Sequence, residues 1–191
     1  MKSKIDSSVF FVLFIFVMVF LCSCASAKDG SLSRDEPTQE AVELTKKMIF
    51  SDEEEKNKIF SSFKELMDEN PGNITIRNMY INNLIAEKHY EEGLKYLRAM
   101  NKKNLTRTNL LTQCMLQERL EKRDEGCYKK VIALSEENNA IDSDYISALF
   151  FMDDKRFEAL RHELIKENKF KESDFLVFTL GQEKMLHEFF P

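Results

Sequence analysis

Between about Asn73 and Asn168 a pattern of helix, tight turn and helix recurs with a step of 34 and then 33 residues. Its turns are legible as His89-Tyr90-Glu91-Glu92-Gly93-Leu94, a weaker Arg123-Asp124-Glu125-Gly126-Cys127-Tyr128, and Arg156-Phe157-Glu158-Ala159-Leu160. Superposing Tyr90, Asp124 and Phe157 brings Leu97, Val131 and Leu164 into register, the same place on the second helix each time. A unit of this length cannot bury its apolar face alone and needs a neighbour. The chain is thereby constrained to an all-α stack of helical hairpins. Subtracting 34 from Gly93, Leu97 and Met100 lands on Ile59, Phe63 and Leu66, three apolar positions, so a degenerate first hairpin precedes the others.

Local signals place the elements. Thr38 is expected to cap a helix running to about Phe50, with Ala41, Leu44, Met48 and Ile49 on one face. Ser51 with Glu54 reads as a capping box for a second helix that stops at Asn70-Pro71-Gly72. Helix A of the clearest unit spans roughly Ile74 to Glu87 and helix B roughly Tyr90 to Asn101. A third unit covers about Thr108 to Ala140, and a fourth begins at Ile141. Ser173 to Phe190, with a break at Gly181, is the remaining apolar segment. It is read either as a helix capping the raw end of the stack, or as an anchor that presents Phe189 and Phe190 to a partner.

The second unit resembles the tetratricopeptide repeat family. Tyr80, Ile81 and Leu84 take the family's helix A positions, and Tyr90, Gly93, Leu97 and Met100 its turn and helix B positions. Cys114, Met115, Cys127, Val131 and Leu134 follow in the third unit, and Ala148, Phe151, Phe157, Leu160 and Leu164 in the fourth. Glu118 stands where a large apolar residue belongs, Lys47 replaces a small one, and no unit carries the family's Trp. A related hairpin solenoid with different repeat chemistry is the alternative. The resemblance implies a right-handed solenoid of antiparallel hairpins whose A helices line a groove. Its groove positions would be Asn78, Asn82, Gln113, Leu116, Arg119, Tyr145, Leu149 and Met152. Asn side chains there offer a donor and an acceptor to a peptide backbone, and Arg119 suits a carboxylate. In the same alignment Cys114 and Cys127 face each other across one hairpin. They form either a disulfide, worth about 3 kcal/mol by loop entropy, or two buried thiols.

The N-terminus is a different polymer. Lys2 and Lys4 precede an unbroken apolar run of 14 residues, Val9 to Cys22, followed by small residues. That run falls short of the roughly 20 residues that span a bilayer, so residues 1–23 are read as a signal peptide, with an uncleaved anchor extending through Ala27 as the alternative. Leu21-Cys22-Ser23-Cys24 resembles the bacterial lipobox, which implies lipidation of Cys24 by two or three acyl chains such as palmitate. The absence of Asp at position 25 implies outer-membrane sorting. Cleavage after Ala25-Ser26-Ala27, giving a soluble exported or periplasmic protein, competes with this. Residues 24–37 read as a polar tether and 38–191 as the repeat domain.

A net charge of −5, with no block of Lys or Arg, argues against nucleic acid as a partner. His89, His162 and His187 fit no metal-ligand spacing, and neither a Gly-rich phosphate loop nor a nucleophile elbow occurs. No enzyme activity, metal or small-molecule cofactor is expected. Asn73-Ile74-Thr75 and Asn104-Leu105-Thr106 are sequons that matter only in a eukaryotic secretory route. The sequence therefore predicts a membrane-anchored protein–protein interaction or assembly module of the bacterial envelope, such as an accessory lipoprotein of a secretion, pilus or outer-membrane machine. A periplasmic hydrolase or enzyme inhibitor, and a structural or immunity-type surface lipoprotein, are the alternatives.

Overall fold

The structure, a computed structural model, describes residues 35–191. The signal peptide, Cys24 and nearly all of the tether lie outside the described residues. From Glu36 onward the chain is helical throughout: α1 (Glu36–Phe50), α2 (Glu53–Glu69), α3 (Ile74–Ala86), α4 (Tyr90–Lys103), α5 (Arg107–Arg119), α6 (Glu125–Glu137), α7 (Ser143–Phe151), α8 (Arg156–Lys166), a 3-10 helix (Glu172–Leu180) and α9 (Gln182–Phe189). Each helix from α1 to α8 packs on its successor, α1 also packs on α3 and α5 on α7. The result is a stacked helical bundle. Among the described residues no helix is long and apolar enough to cross a membrane.

Side-chain caps start helices at the three boundaries between hairpins, at Asn73, Thr106 and Asp142, and within hairpins at Asp52 and Asp124. Asp52, Asn73, Thr106 and Asp142 accept from the backbone N–H of Glu55, Ile76, Asn109 and Tyr145, each removing one orphan donor of a helix start. The expected Ser51 box is not used. Ser51 Oγ donates back to the Lys47 carbonyl at 2.9 Å, and the cap moves to Asp52. Thr38 likewise is not a cap, since α1 begins at Glu36 with Pro37 in its first turn, where the missing N–H costs nothing. Its buried hydroxyl instead accepts from Asn73 Nδ2 at 2.9 Å, which ties the first hairpin to the second.

The turn inside each of the last three hairpins has one backbone solution. Lys88, Glu121 and Asp153 all adopt positive φ, between 50° and 66°. The next N–H then reaches back five residues: His89 to Leu84 at 2.8 Å, Lys122 to Gln117 at 2.8 Å, and Asp154 to Leu149 at 3.0 Å. That bond satisfies a carbonyl at the end of the preceding helix in the Schellman manner, which usually employs glycine. Gly93 serves a different need, because a Cβ there would lie 2.9 Å from Ile85 Cγ1, so α4 approaches α3 closely at this point.

The register inferred from the sequence is the core. Ile59, Phe63 and Leu66 are buried, as are Leu97, Val131 and Leu164. The apolar interior is nevertheless divided. One cluster joins α1, α2 and α3, a small one holds Ile81, Leu97 and Met100, and a large one runs from Leu94 to Phe190. Cys114 and Cys127 are joined by a disulfide inside the large cluster, with Cα atoms 5.6 Å apart. Arg107 binds Asp142 through both terminal nitrogens, at 2.5 and 3.0 Å, and links the third hairpin to the fourth. The C-terminal segment, read from the sequence as helical from Ser173, does not begin as an α-helix. A 3-10 helix begins after Lys171, whose N–H donates to Asp174 at 2.8 Å. Its period of three sets Phe175 and Phe178 on one side, where both rings meet Phe157.

Candidate docking face

On α5 the residues Leu111, Met115 and Arg119 recur every fourth position and so share one stripe. The C-terminal helix α9 lies along α5, burying Met185, Leu186 and Phe190. Its two ends are tied by polar groups. At the start, Gln182 Nε2 donates to the Phe150 carbonyl and to Asp153 Oδ1, both at 2.9 Å, and Gln182 Oε1 accepts from Arg123 at 3.2 Å. At the end, Arg119 Nε donates to the Phe190 carbonyl at 2.9 Å, and the Tyr90 hydroxyl donates to the Pro191 carbonyl. The Arg119 guanidinium stands 5.6 Å from the centre of the Tyr90 ring, and that ring meets Phe190 edge-on at 6.3 Å. Main-chain carbonyls of the tail are thus read by side chains of the stack.

A polar trio built on the buried Tyr128, with Glu118 half-buried and Arg123 exposed, supports this seat. Glu118, which departs from the repeat pattern, accepts from Tyr128 Oη at 2.7 Å and from Arg123 at 2.7 Å. Arg123 also donates to the Phe151 carbonyl at 2.7 Å, and the Tyr128 ring stacks on Phe151 at 5.4 Å. Burial, reinforced by the bond to Glu118, pushes the Tyr128 phenol far above its usual range, so it stays a donor. Glu118 thereby fixes Arg123, and Arg123 reaches the start of α9.

The tail does not fill the whole face. A cleft of about 350 Å³ remains open beside Phe189 and Phe190, floored by Leu111 and Met115 and edged by Thr112, Ser143, Asp144 and Ser147. Phe189 is 49% exposed there.

The groove positions inferred from the repeat alignment are spread over several places. Arg119 belongs to the seat of α9. Leu116 and Leu149 are fully buried core residues. Gln113 borders a separate 570 Å³ cleft that also carries Arg98, Lys102 and Lys130, and accepts from Asn101 at 3.0 Å. Tyr145 lies beside a third cleft, of 480 Å³, between α6, α7 and α8, where its hydroxyl donates to Glu136 at 3.1 Å next to Arg156. Met152 is half-buried at the end of α7, Asn78 is half-buried and Asn82 exposed on α3. The structure brings Arg119 together instead with Tyr90, Leu111, Met115 and the tail. Gln113 and Met115 are two residues apart and point to different sides of α5, which is why a shift of two positions exchanges one face for another.

His89, His162 and His187 are exposed and lie on separate elements. Among the described residues no group of three His, Cys, Asp or Glu is placed to hold a metal ion. Compared with protein-family models, with curated proteins and with solved structures, the chain matches none.

Proposed function

We propose that the protein is an interaction module of the bacterial envelope, with tetratricopeptide-like hairpins in a right-handed solenoid and a lipid on Cys24 that tethers them to the outer membrane. It makes and breaks no bond. Its work is to dock a protein segment on the face of α5 and α7, and membrane confinement adds avidity to a contact made by a few anchors. The observation that supports this most is the seat of α9: a stripe of Leu111, Met115 and Arg119 that holds a short helix by apolar side chains and main-chain carbonyls. Helix-in-groove recognition uses the same elements.

Crosslinking in intact cells followed by mass spectrometry tests this. Arg119→Ala is expected to deplete a specific set of crosslinked proteins, and an unchanged set would defeat the docking role. Cys24→Ser is expected to release the protein from membranes, and membrane association that survives both this change and a high-salt wash would defeat the lipid anchor.

A second role, as a structural, immunity-type or enzyme-inhibiting lipoprotein that acts as a rigid shape, draws support from the same face being covered from within. In that case crosslinks would fall on the outer surfaces of α2, α4 and α6, and Arg119→Ala would leave them in place.

A further inference from the structure

We infer that the 570 Å³ cleft between α4, α5 and α6 seats the phosphate of an anionic phospholipid, so that the stack itself lies against a membrane. The chemistry of this cleft is one-sided. Helix α4 contributes Arg98 and Lys102, four positions apart and so on one face, and α6 contributes Lys130. Among the described residues, none that lines the cleft is acidic. Neighbouring cations are neutralised, Lys122 by Glu91 and Lys129 by Glu125. Arg98, Lys102 and Lys130 hold no carboxylate among the described residues. The amide nitrogens of the floor are engaged within the fold: Asn101 Nδ2 donates to the Asn109 carbonyl at 3.2 Å and to Gln113 Oε1 at 3.0 Å, and Gln113 Nε2 donates to Gln117 at 3.0 Å. The donors left over are cationic, in a chain whose net charge is −5, and they match a group made of acceptors alone, such as a phosphodiester. Only the fold assembles this site, since its third cation comes from a different hairpin helix than the first two.

Two observations favour a lipid surface over a free anion or an acidic protein segment. Leu105 lines the cleft and is 38% exposed. A large apolar side chain beside three cations suits the boundary between headgroups and acyl chains. The second observation is position. Hairpin α3–α4 turns at Lys88, so the end of α4 returns to the edge where α3 starts, and the bond from Asn73 to Thr38 sets the start of α1 on that edge too. The α4–α5 loop, with Lys103 and Leu105, therefore shares one edge of the stack with Glu36. Twelve residues separate Cys24 from Glu36, a reach of at most about 40 Å, so an anchor at Cys24 holds this edge within that distance of the bilayer. This last step rests on the lipid anchor proposed above, whereas the chemistry of the cleft does not.

The chain contains no tryptophan, so Leu105→Trp in the full chain, as the cell processes it, places a single fluorescent reporter at the lip of the cleft. The protein is reconstituted into vesicles of phosphatidylcholine, alone or with phosphatidylglycerol, each containing brominated lipid. Quenching then reads the ratio of seated to free clefts. Quenching is expected with phosphatidylglycerol and not without it, and is expected to be lost at 1 M salt, where the screening length is about 3 Å. Arg98→Gln, Lys102→Gln and Lys130→Gln are each expected to lower the ratio about fivefold, with circular dichroism unchanged because all three side chains are exposed. Lys88→Gln, on the opposite edge, is expected to leave the ratio unaltered, and an equal loss there would reduce the effect to net charge and overturn the site. An unquenched reporter in vesicles that carry the protein would overturn the inference and leave the lipid anchor standing. A chain that does not stay with the vesicles would defeat the anchor alone. The reporter is then titrated with phosphatidylglycerol vesicles added from outside, where quenching upholds the cleft and its absence overturns it. Cation-dependent binding of a labelled oligoglutamate peptide or of glycerol phosphate, with no quenching by lipid, would make an acidic segment or a free anion the occupant and overturn the assignment to a lipid surface.

Discussion

Reducing the Cys114–Cys127 bond removes one covalent constraint without changing a residue, which makes its consequence calculable. The bond closes a loop across a separation of 13 residues. Loop-closure entropy for that length destabilises the unfolded state of the oxidised protein by about 3 kcal/mol at 25 °C. For a folded unit of this size that corresponds to a fall in Tm of about 6 to 12 °C on reduction. Both sulfurs are shielded, Cys114 completely, so native-state reduction is slow and the reduced protein should be prepared by refolding in reductant. Paired urea titrations of the oxidised and reduced chains, followed by far-UV circular dichroism, supply the free energies. The reduced chain unfolds to a more expanded ensemble, so its m-value is expected to rise as its midpoint falls. Location adds a second expectation. The bond lies in the cluster from Leu94 to Phe190, separate from the one that joins α1, α2 and α3. Where the two open separately, hydrogen exchange speeds up in α5 and α6 and stays constant in α1 and α2. A reduced midpoint equal to the oxidised one, or a loss confined to α1 and α2, would refute the loop argument.

Three further outcomes are expected. Glu121→Gly relieves a left-handed turn residue and should gain about 0.5 to 1 kcal/mol in urea unfolding, whereas Asp153→Gly should gain less because Asp153 also accepts from Gln182. Asp142 is both the cap of α7 and the partner of Arg107. Burial acts to raise its carboxyl, but the hydrogen bonds from Arg107 and the Tyr145 amide outweigh that and hold it below the usual range. A depressed carboxyl stabilises the fold above its unfolded pKa, about 3.9, and loses that contribution as pH falls through the folded value. With its side chain 41% exposed, Asp142→Ala should cost about 1.5 kcal/mol at pH 7 and Asp142→Asn, which still caps, about 0.5 kcal/mol; the Asn deficit should begin to fade as pH falls below about 4 and vanish only below the lowered folded pKa. Gly93→Ala sets a methyl against Ile85 Cγ1 and should cost about 1 kcal/mol net of improved helix propensity, a penalty that a double-mutant cycle with Ile85→Ala, which removes Cγ1, should reduce.

Periodicity carried the interior of this fold because burial acts on it directly. Leu97, Val131 and Leu164 repeat at one helical position, and each of them is inside. Caps were less legible where two hydroxyl or carboxyl side chains adjoin. Ser51 and Asp52 both satisfy a capping pattern, and the choice falls on Asp52 because the Ser51 hydroxyl is already spent on the Lys47 carbonyl. The turns had no glycine to mark them, since Lys88, Glu121 and Asp153 accept left-handed geometry for the sake of a long back-reaching bond. Groove positions suffered most. A face of a helix is fixed by an offset of one or two residues, and the repeat alignment could not supply that offset independently of the packing. The stripe Leu111, Met115, Arg119 was present in the spacing, yet nothing local tells an inward stripe that binds from one that merely packs.

The seat of α9 ties the C-terminal helix to the shape of the stack. Helices α1 and α3 pack together, as do, less extensively, α5 and α7, while α3 and α5 meet less than either pair. Tyr90 begins α4 and Arg119 ends α5, so these two residues belong to successive hairpins across that looser step. The Phe190 ring stands against Tyr90, and its carbonyl is held by Arg119. The end of the tail therefore acts as a spacer between the second and third hairpins as well as a cover for α5. The same place divides the core, for α4 sends Leu94 into the large cluster and Leu97 with Met100 into the small one.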